Sequence, residues 1–277
     1  MPSKPIKILV LHGYTQSGPR FHAKTKALEK HLQKSLAPLG GVELVYPTGP
    51  LRLQPSDLPT WDSAVTEDII GPTASGGEEQ TEYYGWWRKF EFYTGLPSPC
   101  LDSIYELMDK QGPFDGVVGF SQGGALAGML ASLLEPQRRS SPPLPSGWPV
   151  PPASQPPLAF SISYSGNTAS EEQYNFVYEP KIKTPMLHFI GSLDTVVDEE
   201  RSLALVRACE RERVVYHPGG HFLPGAKMYL NATAGFIMET LKEKEKEKEK
   251  EKEKEKEKEK EKEKEKERGE GGEEQGI

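Results

Sequence analysis

Cysteine occurs only twice in these 277 residues, at Cys100 and Cys209, far apart and outside any metal-ligand spacing. That scarcity argues against a disulfide scaffold or a structural zinc site, and two free thiols in a reducing compartment are expected. Long apolar runs are missing as well. The opening "MPSKPIKILVLHG" has one short apolar stretch ending in His-Gly, which suits neither a signal peptide nor a membrane span, and no other stretch approaches spanning length. Positive charge is not in excess: 34 Lys and Arg stand against 41 Asp and Glu, a net charge of −7. A basic footprint for nucleic acid is therefore lacking. The expectation is a cytoplasmic protein, with the nucleus open to it. An "NAT" at Asn231 has the form of a glycosylation acceptor, but without a secretion signal it reads as accidental.

Much of the charge lies in one place. From Lys242 to Glu267 the chain alternates Lys and Glu, and "RGEGGEEQGI" follows. Residues 242–277 hold 14 of the basic and 16 of the acidic residues, leaving 20 and 25 in the body, a net charge of −5. Alternation places like charges at i,i+4 and opposite charges at i,i+3, half repulsive and half helpful for a helix. With no apolar face, the segment reads as a solvated tail, disordered or helical, without a catalytic role. The expected division is a catalytic domain over 1–241 and a low-complexity charged tail over 242–277.

The body alternates short apolar runs with helical patterns. Candidate strands are 7–11, 42–46, 116–120, 158–163, 186–190 and 213–217; candidate helices cover about 20–37, 100–110, 122–135, 199–211 and 226–241. Apolar strands separated by helices predict an α/β fold with a mostly parallel sheet of about six or more strands covered on both faces. Two segments break the rhythm. Residues 48–98 form a lid-like excursion rich in Pro, Gly and aromatics. Residues 136–157, "PQRRSSPPLPSGWPVPPASQPP", carry too much proline for regular structure and read as a surface loop or disordered insertion.

The chemistry concentrates at "GVVGFSQGGALAGML". An apolar strand meets an apolar helix with only Gly119-Phe120-Ser121-Gln122-Gly123 in which to turn. A serine hydroxyl is a weak nucleophile at neutral pH and needs clean presentation and a base. A tight strand-to-helix turn supplies the presentation, and glycines two residues to either side relieve its crowding. This G-x-S-x-G pattern, in its strand and helix context, is the nucleophile elbow of the α/β-hydrolases.

The partners of such a serine follow in the order acid, then histidine. Downstream, "MLHFIGSLD" leads from a strand to Asp194, and "VVYHPGGHFLPG" leads from the next strand to His221. Both should emerge on the rim that carries Ser121. Asp198 reads instead as a helix cap, His217 as a packed or hydrogen-bonded residue closing its strand, His188 as core, and His22 and His31 as helix-surface residues. A hole for the developing oxyanion needs two backbone N–H groups. Gln122 supplies the first at the helix start, and Tyr14, in the "HGYTQSG" turn after the first strand, is the second. Trp86, Trp87, Phe90, Phe92 and Tyr93 either wall a substrate pocket or bury the excursion against the sheet.

These pieces resemble the fungal serine hydrolase (FSH) family of small α/β-hydrolases, which includes esterases and polyketide-releasing thioesterases. The resemblance rests on "ILVLHGYTQSG", "YGWWR", "GPFDGVVGFSQGGALA", "FIGSLDTVV" and "GGHFLP", in family order across residues 6 to about 241. "GFSQGG" alone is also similar to acyl-protein thioesterases and carboxylesterases. The resemblance implies Ser121 as nucleophile, Asp194 as acid and His221 as base, acting without metal or organic cofactor. The substrate it implies is an acyl ester or thioester, small or carrier-bound. Residues 136–157 and the Lys-Glu tail depart from the pattern. A catalytically silent binding protein on the same fold is the alternative.

Overall fold

The computed structural model describes residues 4–58, 82–89, 93–140 and 144–270. Two compact units divide the chain, Met1–Ile237 and Met238–Ile277.

The first unit is built on six parallel strands. In chain order they are β1 (Ile6–Leu11), β2 (Val42–Val45), β3 (Gly116–Phe120), β4 (Phe160–Tyr164), β5 (Met186–Gly191) and β6 (Glu212–His217). Their order across the sheet is β6-β5-β4-β3-β1-β2. The connecting helices include α1 (Gly18–Lys24), α2 (Lys26–Leu36), α3 (Cys100–Gln111), α4 (Gln122–Leu133) and α5 (Pro136–Ser140). After these come α6 (Asn175–Tyr178), α7 (Glu199–Arg207) and α8 (Lys227–Glu270), the last crossing the boundary between the units.

Strand alternation sorts the core into two layers. Leu9, Leu11 and Val117 join Leu101, Ile104 and Met108 of α3, Leu126 and Leu130 of α4, and Leu205 of α7 in one apolar cluster. The alternate residues Ile8, Val10, Val118 and Phe120 are equally buried but outside that cluster. There Phe120 stacks with Phe21 of α1 at 6.2 Å, and Phe189 meets Tyr229 of α8 at 6.4 Å. Helices thus cover both faces of a parallel sheet, as the apolar runs predicted.

Two expectations need correction. The pattern read as one helix over 20–37 is two, separated at Thr25, whose hydroxyl donates to the Phe21 carbonyl and stays buried. The described residues of 136–157 run as loop from 144 onward, with Val150 exposed, but the segment is not free of regular structure. It begins with α5, whose Arg138 is buried and donates to the carbonyls of Val177, Glu179 and Pro180 and to Ser132 Oγ. Gln155, fully buried, bonds the backbone of Phe114 in both directions. Proline removes donors, and these side chains supply the bonds that the backbone cannot. In the second unit, α8 continues through the Lys-Glu segment as helix to Glu270, the helical of the two states expected for it.

Among the described residues no helix is long and apolar enough to cross a membrane.

Candidate active site

Ser121 adopts φ 54°, ψ −116° between the end of β3 and the start of α4. A non-glycine residue there is strained, and the surroundings hold it. Its N–H donates to the Tyr164 carbonyl at 2.8 Å, and its own carbonyl accepts from Ala125 N. The flanking glycines are demanded by contact. A β-carbon on Gly119 would overlap the Gly123 carbonyl, and one on Gly123 would strike the Leu11 carbonyl and stand 2.6 Å from that of His12.

The parallel strands bring the other candidates to the same rim. His221 Nε2 lies 2.9 Å from Ser121 Oγ, and His221 Nδ1 lies 2.8 Å from Asp194 Oδ2. Asp194 Oδ1 accepts from the amides of Val196 and Val197 at 3.0 and 2.9 Å, so both carboxylate oxygens are held. Burial works to raise the Asp194 pKa. It is outweighed by the hydrogen bond and charge of His221, the Val197 amide and the Ser165 hydroxyl, and the carboxyl ends below its ordinary value. Ser165 was not anticipated. It follows β4, is buried, and takes φ 49°; its Oγ reaches no hydrogen bond of standard geometry but sits beside this carboxylate. No motif in the sequence marks it.

The other histidines and Asp198 separate from this cluster. Asp198 caps α7, accepting from Arg201 N at 2.9 Å. His217 is buried and its Nδ1 accepts from Gly219 N; burial lowers its pKa, against a smaller upward pull from Asp194. His188 lies in the core near Cys209, and burial holds its pKa at about 4. His22 and His31 are half-buried rather than fully exposed.

Gln122 is the first residue of α4, directly after Ser121, so its N–H has no acceptor within the helix. The turn after β1 lies against the elbow: a β-carbon on Gly13 would stand 3.3 Å from Ser121 Cβ and 2.9 Å from the Phe120 ring. Tyr14, next in that turn, is held by its hydroxyl, which donates to the Asp57 carbonyl at 3.0 Å. Trp86 and Trp87 are 0 % and 5 % exposed, and burial fits the packing role of the two that the sequence left open. Phe90 and Phe92 lie outside the described residues, and of Tyr93 only the backbone is described. Among the described residues, Leu193 and Phe222, next in sequence to Asp194 and His221, are large apolar side chains left exposed, 69 % and 45 %.

Among the described residues no three His, Cys, Asp or Glu side chains group to hold a metal. Burial raises both thiols, that of Cys209 to about 12, which leaves them protonated at neutral pH.

A six-stranded parallel sheet with a strained serine between strand and helix, facing an imidazole that faces a carboxylate, defines an α/β-hydrolase. The chain belongs to the FSH1 serine hydrolase family, whose model it matches over residues 1–233. It is 35 % identical over 237 residues to a protein from the fission yeast Schizosaccharomyces pombe named dihydrofolate reductase, covering 85 % of this chain and 47 % of that one. The chain therefore spans about half the length of that relative. With the zebrafish (Danio rerio) esterase OVCA2 it shares 32 % identity over 259 residues, covering 86 % and 98 % of the two chains. The crystal structure of Arabidopsis thaliana SOBER1 has the same fold, with a TM-score of 0.53 at 20 % identity, covering 86 % of this chain and 99 % of that one.

Proposed function

We propose that this protein hydrolyses carboxylic esters or thioesters through an acyl-serine intermediate. The observation that carries this reading is the continuous relay from Ser121 Oγ through the His221 ring to Asp194, at 2.9 and 2.8 Å. His221 Nε2 takes the Ser121 proton as Oγ attacks the carbonyl carbon. The carbonyl oxygen, now anionic, is stabilised by the Gln122 and Tyr14 amides. Collapse of the tetrahedral species expels the alcohol or thiol, which takes the proton from His221. Water, deprotonated by the same ring, then cleaves the acyl-serine and releases the acid. Asp194 keeps the proton of the neutral ring on Nδ1, leaving Nε2 free to accept, and stabilises the imidazolium that forms. The chemistry requires neither a metal nor an organic cofactor.

The substrate is an acyl ester or thioester, small or carrier-bound. The exposed Leu193 and Phe222 beside the relay favour an apolar acyl group. Hydrolysis of p-nitrophenyl esters and acyl-thioesters of graded chain length tests the proposal, together with labelling by a fluorophosphonate. Ser121→Ala should lower turnover by about 10⁶ and abolish labelling. Substantial turnover by that variant would refute the assignment.

A further inference from the structure

The two amides proposed to receive the oxyanion belong to different loops, Tyr14 after β1 and Gln122 at the elbow. Local geometry of either loop cannot set the distance between them, yet hole donors act only when placed to within a few tenths of an ångström. Trp86 bonds to both loops. Its backbone N–H donates to Gln122 Oε1 at 2.9 Å, and its indole Nε1–H donates to the His12 carbonyl at 2.9 Å. Gln122 Nε2 closes the first connection by donating to the Trp87 carbonyl at 2.7 Å.

The second connection is equally closed. The His12 ring stacks on Trp86 with centroids 4.9 Å apart. His12 Nδ1–H donates to the Gly13 carbonyl and Nε2 accepts from Gly49 N, both at 2.8 Å, so the buried ring is neutral with its tautomer fixed. Gly85 lets the backbone before Trp86 approach closely, since a β-carbon there would stand 2.8 Å from the Tyr14 ring.

We infer that Trp86, His12 and the Gln122 side chain are positioning residues that set the spacing of the Tyr14 and Gln122 amides. The inference rests on the hydrolase reading above. Trp86 thus acts on the reaction from within the core rather than as a pocket wall. A packing role alone would need only the aromatic ring. A positioning role needs the indole N–H and the Gln122 amide group.

Two variants separate these roles. Trp86→Phe keeps a ring against His12 but loses the donor, and Gln122→Met keeps the backbone amide but loses both side-chain bonds. With p-nitrophenyl acetate, each should lower kcat by about 10- to 100-fold while KM stays within about twofold. The inhibition constant of a trifluoromethyl ketone, whose oxyanion occupies the hole, should rise in parallel with the loss in kcat/KM. If both variants keep kcat within about twofold, or if ketone affinity is unchanged, the inference is overturned while the hydrolase reading stands. A loss confined to Trp86→Phe and accompanied by a collapsed melting transition would also overturn it. Absence of Ser121-dependent turnover in the unaltered chain would instead sink the hydrolase reading, and this inference with it.

Discussion

Gly119 and Gly123 are in contact across the serine they flank: a β-carbon on the first would occupy the space of the second's carbonyl oxygen. Neighbouring backbone cannot move aside as a flexible side chain can. Gly119→Ala or Gly123→Ala should therefore cost about 3 kcal/mol or more and release Ser121 from its strained φ. Urea unfolding and fluorophosphonate labelling would read the two effects. Gly235→Ala is the control. Nothing lies within 4 Å of a β-carbon there, and alanine inside α8 should stabilise the fold by about 0.5–1 kcal/mol.

Asp194→Asn tests the relay beyond the serine. An amide oxygen can still accept from Val196 and Val197, but the amide nitrogen cannot accept from His221 Nδ1–H. The ring then turns to the wrong tautomer. Turnover should fall by about 10⁴ with the melting temperature little changed. Equal turnover in the variant would show that Asp194 has no part in catalysis.

Stability should decline on mild acidification because of two histidines outside the relay. Burial holds His12 and His188 at about 4 against an ordinary 6.5. Between those values the unfolded chain binds protons that the folded chain refuses. Stability is then greatest above pH 6.5, falls as pH drops through the window, and levels off below about 4. The loss should reach roughly 2 kcal/mol per histidine by pH 5. Chemical denaturation at pH 7.5, 6 and 5 measures it. A His188→Gln variant whose slope matches that of the wild type would contradict the assignment for that ring.

Arg138 ties α5 to the 177–180 segment through the carbonyl oxygens of Val177, Glu179 and Pro180. Arg138→Ala should cost about 3 kcal/mol, and Arg138→Lys should recover little, because an ammonium cannot reproduce the planar fork. A midpoint shift below about 0.5 kcal/mol in the alanine variant would show the network to be dispensable.

Ending the chain at Leu241 removes the charged run while leaving Ser121, Asp194 and His221 untouched. Turnover of simple esters should stay within about twofold of the full chain. A larger fall would give the tail a part in catalysis that its composition does not suggest.

The six strands and most of the helices were legible because apolar runs and helical periods are local. The β3 strand falls at residues 116–120 in both readings. The helix break at Thr25 was not legible, since its buried hydroxyl also meets Tyr46 Oη at 3.0 Å, a partner 21 residues away that only packing supplies. The α5 segment was misjudged for a related reason. Proline count measures missing backbone donors, but Arg138 and Gln155 supply distant side-chain donors that no local pattern reveals.

The sequence by itself determined the parallel α/β class and named the residues of the candidate site, while the order of the strands came from the structure. Ser121, Asp194 and His221 are each named by a strand immediately before them, and parallel strands deliver their ends to one edge. What only tertiary structure decided was distance and partnership: that Ser165 stands beside Asp194, and that Trp86 is shared between the His12 and Gln122 loops. Those relations join residues far apart in the chain, and only packing brings them within the few ångströms over which hydrogen bonds act.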